Sequence, residues 1–264
     1  MSLPEIPESE ATGRIAEIYR AILDATGLPS TNLVWRHMAS RPGVLEWAYD
    51  ALEESFYAGA FRVLGAEIVS SLPPPAMPRL AEDGSLDRAT LEAAASVMAF
   101  YNRANPINLV ALSALRRVLA GETTDAAFDE VPPAHDPLPA LPRLARDIDG
   151  ETAARMAALA RTINDGDGAL MPTALRHLAN WPATIAALHE RVDGLAGSGA
   201  LKIDADMLRR RAADGAARIP LAIPASGRPS EATRHALDVT IDLFLTPISR
   251  MIVIGRGFEA ALRS

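Results

Sequence analysis

The sequence repeats itself at a nearly constant spacing. Arg36–Pro42 reads RHMASRP and Arg176–Pro182 reads RHLANWP, a displacement of 140 residues. Asn105–Asn108 (NPIN) recurs as Thr246–Ser249 (TPIS), displaced by 141 residues. Matches in the same order at nearly one displacement predict an internal duplication. Two such copies can pack around an approximate two-fold axis, as an intrachain pseudo-dimer with a cavity between them.

Both copies are predicted to be helical. Alanine and leucine are abundant, and aromatic residues make up only 5% of the chain, which favours helices over strands. Ile15, Ile18, Tyr19 and Ile22 follow the spacing of one helix face, and the same stripe returns 141 residues later, at 156–163. We therefore expect an all-α fold of two tandem, diverged helical repeats.

The repeat also sets the expected domain boundaries. Residues 1–125 form the first helical repeat, 126–139 a proline-rich linker, and 140–264 the second repeat, with both repeats packed as one globular unit. The last helical region of each copy, about 86–120 and 230–262, is the most apolar part of that copy. A helix that is apolar nearly all round must be buried, so we expect these two regions to form the shared centre.

Composition excludes several functional classes. The absence of cysteine rules out disulfides, thiolate metal sites and thiol redox chemistry. A net charge of −7, with no basic run beyond Arg209–Arg211, argues against a nucleic-acid partner. No apolar stretch approaches the ~18 residues that span a bilayer, and the N-terminus lacks the features of a secretion signal. The expectation is a cytoplasmic protein without a membrane partner.

A proline follows a polar residue in each of the apolar final regions, at Asn105-Pro106 and Thr246-Pro247. Either the proline lies inside a helix and directs Asn105 and Asn108 into a pocket, or it occupies the first position of a helix that the preceding residue caps. Both interpretations stay open for Asn105, whereas the N-cap interpretation is favoured for Thr246.

The histidines of the repeated segment, His37 and His177, are interpreted as structural. No histidine or carboxylate spacing typical of a metal site accompanies them, and no phosphate-binding or nucleophile motif is present. We expect no metal and no cofactor. From the residues alone, the sequence predicts a helical duplication with an inter-repeat pocket and names no reaction.

The stretch 170–182, LMPTALRHLANWP, resembles the group I 2-haloacid dehalogenases, which act on both D- and L-2-haloacids. The family's "LANWP"-like stretch corresponds to Leu178–Pro182, and its "NP" helix corresponds to Asn105-Pro106. Its N-terminal "P…R…A…PG" segment falls on 29–43. The resemblance implies a pseudo-dimeric all-α fold, a small carboxylic acid as substrate, and a homodimer. It also implies that an aspartate activates a water, which displaces the halide without a covalent intermediate.

The resemblance assigns roles residue by residue. Asn105 matches the asparagine that holds the water, and Thr173 matches a serine at the carboxylate site. Ser30 and Leu33 fall on aromatic and apolar lining positions, and Asn108 stands where the family has a bulkier aromatic residue. The expected catalytic aspartate falls on Ala174, which cannot accept a proton.

Three interpretations of that departure remain open. Asp165 or Asp167 of the preceding loop supplies the base; or the pocket binds a small ligand without hydrolysing it; or another reaction uses other groups. Two functions follow: a hydrolase of 2-haloacids, or a non-catalytic binding protein on the same scaffold. A third reading, an oligomerisation or scaffold module, requires that no inter-repeat cavity exist.

A more distant resemblance begins at Tyr101-Asn102-Arg103-Ala104, which is similar to a helix of alkylhydroperoxidase-D-like proteins. The redox members of that group carry a CxxC motif, whose cysteine positions hold Ala104 and Ile107 here. The resemblance therefore implies shared ancestry of the repeat without thiol peroxidase activity.

Overall fold

The computed structural model describes residues 3–80, 84, 86–126, 128–131, 138–166, 168 and 170–263. Within these ranges the chain is all-α, as predicted, with one isolated bridge as the only extended pairing. A short 3-10 helix at Glu8–Glu10 precedes eleven α-helices. They are α1 (Gly13–Thr26), α2 (Leu33–Ala39), α3 (Val44–Asp50), α4 (Glu53–Tyr57), α5 (Ala60–Ser70), α6 (Arg88–Leu119), α7 (Gly150–Ile163), α8 (Thr173–Leu178), α9 (Pro182–Gly197), α10 (Ala200–Ala216) and α11 (Glu231–Arg263).

The two longest helices, α6 and α11, pack along each other and form the centre of the molecule. Every residue from 104 to 115 and from 247 to 255 is buried, because these stretches are predominantly apolar and are covered by the other helices. The expectation that the final regions, 86–120 and 230–262, form the buried centre is confirmed for 104–115 and 247–255, whereas the first turns of both helices carry exposed residues.

The prolines of these helices lie in their interiors, so the N-cap interpretation of Thr246 is wrong. Pro106 and Pro247 are both internal. The caps lie far upstream, since Asp87 Oδ1 accepts from the Thr90 amide (2.7 Å) in α6 and Ser230 Oγ accepts from the Thr233 amide (3.1 Å) in α11. The Thr246 hydroxyl instead accepts a hydrogen bond from Arg209 Nη1 (2.7 Å).

Some backbone contacts of the first half recur in the second. The amide of Ile6 donates to the carbonyl of Arg36 (3.0 Å), and the amide of Ala145 donates to the carbonyl of Arg176 (3.1 Å). Each bond fastens the segment before the first helix of one half to the repeated RH segment. These contacts agree with the predicted duplication, but the pseudo-dimeric relation and the boundaries at 125 and 140 stay predictions.

Arginine side chains hold the proline-rich connections. Arg62 donates to the carbonyl of Val131 (2.5 Å) in the linker, Arg191 to that of Pro78 (2.9 Å), and Arg256 to that of Leu72 (2.6 Å). Segments rich in proline cannot satisfy their carbonyl groups in a helical ladder, so side-chain donors take that place.

The described part of the chain contains no helix with both the length and the apolar character needed to cross a membrane.

Gly65 of α5 provides a test of how closely the helices are packed around Pro106. A Cβ atom at Gly65 would lie 3.1 Å from the amide nitrogen of Ile107 and 3.1 Å from the carbonyl carbon of Pro106. These are backbone atoms that cannot rotate away. We expect Gly65→Ala to lower the free energy of unfolding by about 1–3 kcal/mol through overpacking, as measured by urea denaturation.

Gly194→Ala in α9 is the matched control. A Cβ at Gly194 meets no atom within 4 Å, so the better helix propensity of alanine should raise stability by about 0.5–1 kcal/mol. Equal effects of the two substitutions would contradict the close α5–α6 approach.

Candidate functional site

The described part of the molecule has a cavity between α2, α6, α8 and α11 and the loops that precede α2 and α8. Its volume is about 80 Å³, several times the roughly 10–15 Å³ that one water needs. The scaffold reading required that no cavity lie between the two repeats; the described residues enclose a cavity, and its position between repeats stays a prediction. All six residues that the sequence assigns to the site line the cavity: Ser30, Leu33, Asn105, Asn108, Thr173 and Ala174.

Asn108 has a fixed orientation. The indole Nε1 of Trp35 donates to Asn108 Oδ1 over 2.9 Å, and both residues are buried. Because an indole N–H can only donate, the amide oxygen of Asn108 must face Trp35. The NH₂ group of Asn108 is therefore left as the polar atom available to the cavity, as a donor only.

Asn105 and Thr173 add polar groups to the same wall. Asn105 lies one residue before Pro106 in α6, and its side-chain amide has no hydrogen-bond partner among the described residues. Thr173 is the first residue of α8 and is only partly buried. Both side chains are thus free to contact a bound molecule, which is what the predicted roles require, although those roles stay predictions.

Ser30 is already engaged. Its hydroxyl donates to Glu8 Oε1 (2.8 Å), and the same carboxylate oxygen accepts from the Thr31 amide (2.5 Å). A serine hydroxyl has one proton, so Ser30 cannot donate to a ligand while it bonds Glu8. The Thr31 hydroxyl oxygen is buried and has no partner among the described residues.

Ala174 leaves the position of the expected base apolar. It lies in α8 and is 1% exposed, at the cavity wall. Asp165 does not replace it, because its Oδ1 accepts from Arg250 Nη2 (2.5 Å) and the residue is absent from the cavity lining. Asp167 lies outside the described residues. No described residue that lines the cavity is an aspartate or glutamate.

His177 is a cavity residue whose titration is strongly perturbed. Burial lowers the pKa of its imidazole to about 4, and the charges of Arg176 and Arg36 act in the same direction. Its ring lies 6.1 Å from that of Tyr101, another lining residue, whose hydroxyl pKa is raised by burial. His177 is therefore neutral at pH 7. Its equivalent in the repeat, His37, has a lowered pKa for the same reason.

Sequence reasoning missed three contributors to the site. Arg36 lines the cavity and pairs with Glu5 (Nε to Oε2, 3.0 Å), while Glu8 fixes the loop before α2. Arg36 lies in the repeated RH segment, a signal that could have pointed to it. Glu8 and Glu5 carried no signal, because they reach the site only through the path of the N-terminal segment in three dimensions.

Comparison with known proteins places the fold. No protein-family model and no curated protein matches the sequence. Three solved structures of D-2-haloacid dehalogenase superpose closely: a mutant (TM-score 0.80, 17% identity), a complex with L-LA (0.78, 18%) and a mutant complex with D-2-CPA (0.77, 17%). Each alignment covers 98% of this chain and 96% of the other. The chain therefore has a 2-haloacid dehalogenase-like fold.

The depressed pKa of His177 predicts a loss of stability in acid. The unfolded chain binds a proton as pH falls through about 6.5, whereas the folded chain resists until about pH 4. The contribution of neutral His177 to the free energy of unfolding is therefore complete above pH 6.5. It is lost as the pH falls towards 4, and the loss is on the order of 2 kcal/mol. Urea denaturation from pH 7 to 4 should show a smaller pH dependence for His177→Gln than for wild type.

His235→Gln, at an exposed position of α11, serves as the control and should retain the wild-type pH dependence. Equal slopes for wild type and His177→Gln would show that His177 is not the group responsible.

Proposed function

We propose that the cavity binds a small carboxylic acid and that the protein does not hydrolyse 2-haloacids with a carboxylate-activated water. The observation that carries this proposal is the pairing of an apolar residue, Ala174, at the base position with donor groups elsewhere in the cavity lining. A general base must lie within about 3 Å of the water that it activates, and no described carboxylate lines the cavity.

The electrostatics of the wall favour an anion. Arg36 supplies a positive charge at the cavity, and Asn108 offers N–H donors without an accessible acceptor. His177 is uncharged at neutral pH and contributes no charge of either sign to the cavity. Hydrogen bonds to a charged acceptor are stronger than those between neutral groups, so a carboxylate gains more here than a neutral ligand does.

The size of the cavity limits the ligand. Room for a few water-sized groups suits an acid of three or four carbon atoms. The apolar residues Leu33, Ala174, Ile248 and Met251 in the lining match a short alkyl chain or a halogen at carbon 2. The D-2-haloacid dehalogenases that share the fold supply the reason to test 2-halogenated acids first.

Hydrolysis of 2-haloacids remains a second candidate on one specific observation. Asn105 has a free amide in the cavity, as the water-holding role requires, and His177 is in its basic form above about pH 4. A water between them could lose its proton to the imidazole. A base with so low a pKa is weak, however, and general-base catalysis is most efficient with a pKa near the working pH.

The two candidates are separated by calorimetry and halide release with D- and L-2-chloropropionate. We expect wild type to bind at least one enantiomer and to release no chloride. Ala174→Asp restores a carboxylate at the cavity wall, and we expect chloride release to rise above the wild-type background by about 100-fold or more, the usual contribution of a general base.

Asp165→Asn is the matched control and should change neither binding nor chloride release, because Asp165 bonds Arg250 away from the cavity. Chloride release by wild type would contradict the non-catalytic proposal and favour the second candidate, with His177→Gln as the next variant. Failure of wild type to bind any short carboxylic acid would contradict both.

A further inference from the structure

The bond between Trp35 and Asn108 connects the buried core to the cavity. Trp35 belongs to α2 and Asn108 to the centre of α6, and their exposed fractions are 1% and 2%. The Trp35 ring also makes an edge contact with Phe56, with ring centroids 5.7 Å apart. The donor that orients Asn108 is therefore itself packed in the core.

We propose that Asn108 binds the carboxylate of the ligand through its side-chain N–H groups, and that Trp35 is the positioning residue that keeps these donors turned towards the cavity. This inference rests on the proposed binding function and adds to it the residue that recognises the acid. A side chain fixed in its bound orientation loses little freedom on binding, which raises affinity.

Three other polar residues of the lining are less suited to this task. The hydroxyl proton of Ser30 is held by Glu8 (2.8 Å). The charge of Arg36 is shared with Glu5 (3.0 Å). The Asn105 amide has no described partner to decide which of its two ends faces the ligand. Asn108 alone among these four combines a free donor with an amide that cannot turn.

Close packing around α6 keeps the donor in place. The backbone at Pro106 and Ile107 lies against Gly65 of α5, so closely that a Cβ there would come within 3.1 Å. Asn108 follows directly in the same helix. The position of its backbone is thus set by helix packing, and the direction of its amide is set by Trp35.

The inference predicts a change of ligand preference, which a merely structural role would not produce. In Asn108→Asp one carboxylate oxygen still accepts from Trp35, while the other faces the cavity as an acceptor. Wild type should prefer 2-chloropropionate to its neutral amide, 2-chloropropionamide. In Asn108→Asp that preference should invert, because the new carboxylate repels an anion and accepts from an N–H group.

Calorimetry with these two probes tests the proposal on four further variants. Asn108→Leu should weaken binding of 2-chloropropionate by about 10- to 100-fold, since it removes a hydrogen bond to a charged group. Trp35→Phe should weaken it by about 3- to 10-fold by freeing the amide.

Trp47→Phe removes a comparable indole bond, to the carbonyl of Gly227 (3.0 Å), away from the cavity. Asn102→Leu alters another asparagine of α6, which bonds Glu259. Both controls should stay within about twofold of wild type.

Thermal unfolding of each variant shows whether weaker binding reflects a lost ligand contact or a protein that no longer folds. If Asn108→Leu does not fold, the ligand preference of Asn108→Asp still tests the role of Asn108. Unchanged affinity and preference in the Asn108 variants, with wild type binding the acid, would overturn the role of Asn108 while leaving the proposed function intact. If wild type binds neither probe nor any other short acid, the proposed function and this inference fall together.

Discussion

The contact between α6 and α11 is the constraint on which the rest of the structure depends. Each helix contains a stretch buried on every side, residues 104–115 and 247–255, so neither can be stable in contact with water. Each becomes part of the core by packing on the other, and the remaining helices cover what is left exposed. Glycines permit the closest approaches, as at Gly255, where a Cβ would lie 2.3 Å from Asn102 Oδ1.

The cavity lies beside the part of this central helix pair in which each helix contains a proline. Pro247 contributes to the lining, and Asn105 and Asn108 stand on either side of the dipeptide Pro106-Ile107. Proline removes one backbone hydrogen bond from each helix and crowds the preceding turn. The polar side chains next to Pro106 therefore lie deep in the molecule and still line the cavity. This combination makes them suitable for recognising a ligand.

The chemistry of the wall differs from that expected of a water-activating enzyme. Its described polar groups include the Asn108 donor, the Asn105 amide, the Thr173 hydroxyl, a neutral imidazole and an arginine whose charge Glu5 partly offsets, and the position predicted for a carboxylate holds Ala174. Burial favours the neutral form of His177 because a charged imidazole in the buried site would lack the hydration that stabilises it in water. We propose that an anionic ligand suits this environment better than a nucleophilic water does, with Trp35 and Glu8 limiting which donors that ligand can use.

The sequence by itself determined the all-α class and the buried character of the central parts of α6 and α11, because these depend on local periodicity that can be read along the chain. The family resemblance named six site residues, and all six lie among the residues that line the cavity. The sequence did not determine the caps of α11, since Thr246-Pro247 has the local pattern of a helix start and only the continuous burial of 247–255 keeps the helix intact through the proline. Nor could it show that Glu8 occupies the Ser30 hydroxyl, that Arg250 holds Asp165 away from the cavity, or that Trp35 orients Asn108. Each of those contacts joins residues far apart in the chain, and only the packing of α6 against α11 and of the other helices around them brings the partners within hydrogen-bonding distance.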